Sequence, residues 1–183
     1  MKRFVAILFV AGVALAALVV SACGDMSEST PSPDPTVPVV VREVSGNLQP
    51  LSQDQCGALS SSLKQLGAPT SVEQAPFLDQ ITGSRGTGCL VSVTGTGVQF
   101  TSPQNVAARV TSMLTAQSWQ EDKNYSTSGP SGAATAFRKG AALCLFSVGW
   151  WPDGITCPAG RPLTECAVPA EKKMYQIDLQ CVQ

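Results

Sequence analysis

The period of the apolar positions changes along the chain, and each period dictates a different element. From Phe4 to Val20 the residues are an unbroken run of Val, Ala, Leu, Ile, Phe and Gly with no polar interruption. Further on, Cys56, Leu59, Leu63 and Leu66 recur at the spacing of one helix face. Ser52 with Gln55 three residues later is a capping-box pattern that starts this helix, and Gly67 followed by Pro69 ends it. Ser102-Pro103 opens a second helix with proline in its first turn, and Val106, Val110, Met113 and Leu114 form its apolar face. Trp119, just past the end of that pattern, is placed to plug the end of the core.

Elsewhere the period falls to two. Gly88 to Thr94 puts Cys89, Val91 and Val93 on one side of a strand. Ala134 to Lys139 and Leu143 to Val148 read as a hairpin turned around Lys139-Gly140-Ala141. Tyr175, Ile177, Leu179 and Cys181 alternate with Gln176, Asp178 and Gln180, the pattern of a strand with one wet face. Two units of helix followed by strands predict an α+β fold: an antiparallel sheet with two helices packed on one face.

The start of the chain reads differently. Met1-Lys2-Arg3 is basic, the apolar run follows, and the small residues Val20-Ser21-Ala22 precede Cys23. This is the layout of a cleaved export signal. Val20-Ser21-Ala22-Cys23 resembles the lipobox of bacterial lipoproteins. That resemblance implies cleavage before Cys23, a diacylglyceryl thioether on its sulfur and anchorage of the chain in the cell membrane, facing outside the cytoplasm. An uncleaved membrane anchor is the alternative, because Phe4 to Gly24 carries no charge and a span needs ~20 apolar residues. In either case the basic pair stays inside and everything after it is exported. Pro31, Pro33, Pro35 and Pro38 then forbid helix, so residues 23–38 form an extended Ser/Pro-rich tether. At ~3.1 Å per residue it reaches about 47 Å. The domain organisation is thus residues 1–22 signal peptide, 23–38 tether and 39–183 a single extracytoplasmic α+β domain.

Beyond Cys23 six cysteines remain: Cys56, Cys89, Cys144, Cys157, Cys166 and Cys181. An even number in an exported chain predicts disulfides, and six cysteines allow 15 pairings. No pair has the Cys-x-x-Cys spacing of a metal site. The segment between Cys157 and Cys166 holds two prolines and a glycine and cannot be regular structure, so a Cys157–Cys166 bridge closes it. Proximity in sequence suggests Cys56 with Cys89 and Cys144 with Cys181, but the sequence leaves the connectivity of these four open. The expected sheet is therefore stapled by three bridges.

Composition removes several function classes. Among 183 residues there is no His, which excludes Ser-His-Asp, Cys-His and His-metal chemistry within this chain. A formal charge of −1 offers no basic surface for nucleic acid. No Gly-x-Ser-x-Gly, P-loop or dinucleotide fingerprint occurs. Nothing in the sequence calls for a metal or a cofactor. Ser61-Ser62-Leu63-Lys64 matches Ser-x-x-Lys, the nucleophile motif of penicillin-recognising enzymes, but their Ser-Asp-Asn and Lys-Thr-Gly partners are absent. These residues read as the solvated face of the first helix. Glu121-Asp122 reads as a pair of turn charges after the second helix.

Trp150-Trp151-Pro152-Asp153-Gly154 is the segment that points to function. Neighbouring strand residues face opposite ways, so both indoles cannot enter one core. One of Trp150 and Trp151 is expected to be exposed as a contact surface, unless the Cys157–Cys166 loop folds over it. The sequence accordingly favours a non-enzymatic, membrane-anchored lipoprotein. Its partners are the membrane, through the lipid on Cys23, and an envelope protein or small ligand at the tryptophans. The alternative is a small extracytoplasmic hydrolase that works without His.

Overall fold

In the computed structural model, which describes residues 47–160 and 162–183, the alternating segments assemble into one mixed-polarity sheet. The leader 1–22, Cys23 and the tether 23–38 lie outside the described residues. The elements in chain order are β1 (Asn47–Leu48), α1 (Gln53–Leu63), β2 (Thr70–Leu78), β3 (Arg85–Thr96), α2 (Pro103–Thr115), β4 (Gln120–Gly129), β5 (Gly132–Lys139), β6 (Ala142–Pro152) and β7 (Lys173–Val182). Six strands are antiparallel in the order β2-β3-β7-β6-β5-β4, and the two-residue β1 adds parallel to β3. A Cβ on Gly86 would collide with the Leu48 carbonyl, so glycine is what lets β1 approach there.

Both helices begin and end as the local chemistry dictates. The Ser52 hydroxyl accepts from the Gln55 N–H, and the Gln55 side chain accepts from the Ser52 N–H. Gly67 takes a left-handed φ of 80° to close the last turn. Ser102 caps α2 through the Asn105 N–H, with Pro103 in its first turn. Gly140, at φ 60°, turns β5 into β6 through a two-residue loop, because Lys139 pairs directly with Ala142.

Both helices cover one face of the sheet. Leu59 and Leu63 of α1 and Val106, Val110 and Leu114 of α2 share a core with Val91, Val93, Phe146, Ile177 and Leu179. Trp119 belongs to it and is 6% exposed. All three bridges form, as Cys56–Cys89, Cys144–Cys181 and Cys157–Cys166. The first ties α1 to β3 and the second joins the adjacent strands β6 and β7.

Two strands carry no alternating signal. Along β2 only Phe77 is buried, and β4, Gln-Glu-Asp-Lys-Asn-Tyr-Ser-Thr-Ser-Gly, has no buried residue. They are the two edges of the antiparallel order. An edge strand needs fewer apolar side chains and tolerates Pro76, whose missing N–H would break a central ladder.

Candidate functional site

Alternation along β6 settles where the two tryptophans point. Trp150 pairs with Tyr175 and joins the helix-side core at 8% exposure; its Nε1–H donates to the Pro130 carbonyl at 3.2 Å. Lys173 Nζ lies 5.0 Å from its ring centre, within cation–π range. Trp151 pairs with Met174, faces the other way and is 46% exposed. Ile155, Cys157, Leu163 and Cys166 pack against the core that holds Trp150. The bridged loop therefore lies against the covered side and leaves Trp151 outside it.

Trp151 stands on the sheet face that the helices leave open. Leu143, Leu145, Ser147 and Gly149 precede it on the same side of β6, with Gln176, Asp178 and Gln180 beside them on β7. Between four residues of extended chain Ser147 and Trp151 are ~13 Å apart. This face is not flat. Phe77, Ala136, Leu143 and Val182 form a second buried cluster on it, with Leu48, Tyr125 and Leu145 packed around. Phe77 comes from β2 and Tyr125 from β4, so the two sheet edges curl toward each other over one end of the open face.

A polar clasp joins those edges. Tyr125 OH donates to Asp79 Oδ2 at 2.7 Å, across the span of the sheet. Asp79, 2% exposed, also accepts from Thr82 Oγ1 at 2.7 Å and from the N–H groups of Ile81 at 2.9 Å and Thr82 at 3.3 Å. Burial pushes its carboxyl pKa up, but the bonds from Thr82, Tyr125 and the two backbone N–H groups outweigh that and hold it below the ordinary value. Burial and the Asp79 carboxylate together raise the Tyr125 phenol. On the outer side, Arg138 Nε donates to Asp122 Oδ2 at 2.8 Å and Nη2 to Tyr125 OH at 3.3 Å. The register of β4 shifts between Asp122 and Thr127, and this irregularity lifts Tyr125 toward Asp79.

Behind the clasp lies a cleft of about 670 Å³. Leu78 and Ile81, 44% and 58% exposed, stand on its β2 side, Asn124 and Thr127 on its β4 side. Leu90, Leu145, Ser147, Asp178 and Gln180 form the floor. Gln180 Nε2 donates to the Pro76 carbonyl at 2.8 Å, which holds the β2 wall down. Asp178 Oδ1 accepts from Ser92 Oγ and from Gln176 Nε2, both at 2.6 Å.

No family model, curated protein or solved structure matches the chain.

The other sequence candidates do not assemble into a reacting centre. Ser61 on α1 and Lys64 just past its end are exposed, and Ser61 Oγ donates back to the Gly57 carbonyl at 2.9 Å. Ser62 departs from the expected solvated face: it is 7% exposed and receives Gln117 Nε2 at 2.7 Å. Glu121 and Asp122 are not turn charges but the second and third residues of β4. As strand neighbours they point to opposite faces, where Glu121 receives Thr135 and Asp122 receives Arg138. Among the described residues no cluster of three metal-ligating side chains occurs, and no helix is long and apolar enough to cross a membrane. The clasp escaped sequence reasoning. The signal that marks half of it is Asp79-Gln80-Ile81-Thr82-Gly83, an Asx-type turn with Gly83 at φ 76°.

Proposed function

We propose that this chain is a lipid-anchored, extracytoplasmic binding protein whose working surface is the open face of its sheet. The anchor is the Cys23 lipid of the lipobox-like Val20-Ser21-Ala22-Cys23. The observation that carries the binding role is Trp151, a half-exposed indole on a sheet face already walled into a cleft. A large apolar side chain left in water beside a concave surface is the usual mark of a contact site. An indole adds a rigid face and one N–H donor at small entropic cost.

Photo-crosslinking tests the reading. Benzoylphenylalanine placed at position 151 in the lipidated chain should form adducts in intact cells. The same group at position 98, where Val98 is 70% exposed in the loop after β3, should form none. Equal adducts at the two positions, or none at 151, would overturn it.

A further inference from the structure

The open-face cleft has a chemistry of its own, and we propose that it binds a neutral saccharide, with a ring hydroxyl on Asp178 and further units running over Gly149 toward Trp151. The proposal rests on the open face being the binding surface and adds the class of ligand.

At about 670 Å³ the cleft falls within the usual range for small-ligand sites, ~300–1,000 Å³. Its lining mixes apolar and polar side chains, with more apolar than polar surface. Leu78, Ile81, Leu90 and Leu145 are apolar; Gln80, Asn124, Gln180 and Ser147 are polar and uncharged. Among the described residues that line it, Asp178 alone is charged and none is Lys or Arg. An anionic ligand would meet a carboxylate and no cation. A purely apolar ligand would bury amides and hydroxyls without partners, at ~1–3 kcal/mol each. A simple ammonium ion would engage Asp178 and leave the amides unmatched. A sugar ring answers both parts of the lining, since its C–H faces suit the leucines and its hydroxyls both donate and accept.

Asp178 is poised for such a hydroxyl. Its Oδ1 is occupied by Ser92 and Gln176, which fix the carboxylate, and among the described residues Oδ2 accepts no hydrogen bond. The Gln80 side-chain amide likewise makes none. Gly149 supplies an independent observation. Glycine weakens a strand interior, yet a Cβ built on Gly149 would meet only the Ser131 carbonyl, at 3.7 Å. Packing does not demand glycine here. A bare backbone between Ser147 and Trp151 does keep the floor level for a ligand that continues along β6 to the exposed indole.

The test uses the full lipidated chain in phospholipid nanodiscs, titrated with cellotetraose, maltotetraose and chitotetraose and read by calorimetry and by tryptophan fluorescence. At least one of the three should bind with a Kd of about 1 mM or tighter. Asp178→Asn should weaken it about tenfold or more, as expected for a lost charge-assisted hydrogen bond. Gly149→Val, a β-branched residue suited to a strand with room for its Cβ, should abolish it while leaving the unfolding transition in place. No binding of any of the three up to ~10 mM, or binding that neither substitution changes, overturns the saccharide proposal. If saccharides fail while position 151 still crosslinks in cells, the ligand class falls and the contact surface stands. If saccharides bind while position 151 yields no adduct, the cleft stands and Trp151 is not its extension.

Discussion

Asp79 receives four hydrogen bonds and, through Tyr125, ties one edge of the sheet to the other. Truncating it to Ala leaves the Tyr125 hydroxyl proton and two backbone N–H groups without their acceptor, so Asp79→Ala should lower stability by about 2–4 kcal/mol in urea unfolding. Its folded pKa lies below the unfolded one, so its contribution is complete above the ordinary carboxylate value and fades as pH falls from about 4 through the lower folded value. The stability of the native chain should therefore drop over that acid range more steeply than that of Asp79→Asn. Parallel slopes would mean that Asp79 is not ionised in the clasp. The two tryptophans form a contrast of the same kind. Trp150→Ala empties a core position and should lower stability by ~3–5 kcal/mol. Trp151→Ala removes a half-exposed side chain and should change stability by only about 0.5 kcal/mol.

Among the elements, the bridges make a graded prediction. On the chain-entropy account, the nine-residue separation of Cys157 and Cys166 gives about 2.7 kcal/mol, and the separations of 33 and 37 for the other two give about 3.8 kcal/mol each. Paired Cys→Ser variants should rank in that order by urea midpoint, and alkylation of the unfolded, unreduced chain should find no thiol among the six. Both helices, the central strands and the turn at Gly140 were legible because each buries one face and so must repeat with its own period. β2 and β4 were not, since an edge strand holds its place by one ladder of backbone bonds and needs no apolar stripe. The cleft was hidden for that reason. Its walls are these two strands and the turn after β2, and the pairing of Asp79 with Tyr125 spans 46 residues of sequence. The opposition of Trp150 and Trp151, by contrast, follows from the pleat alone.

For the whole molecule, the proposed function rests on an asymmetry between the two faces of one sheet. Two helices and a bridged loop cover one side, while the other holds a clasped cleft and, farther along β6, Gly149 and the half-exposed Trp151. In the proposed setting Cys23 carries the lipid, and Cys23→Ala should abolish incorporation of labelled fatty acid and release the chain from the detergent phase. Persistent acyl labelling would contradict that anchor. The proposed binding role requires that the open face meet something in the cell. Hydroxyl-radical footprinting of the chain in its native envelope, compared with the purified chain, addresses this directly. Trp151, Leu78 and Ile81 should be oxidised readily after purification and shielded in the envelope, while Val98 and Val72 on other surfaces react alike in both. Equal oxidation of Trp151, Leu78 and Ile81 in the two samples would show that nothing occupies the face.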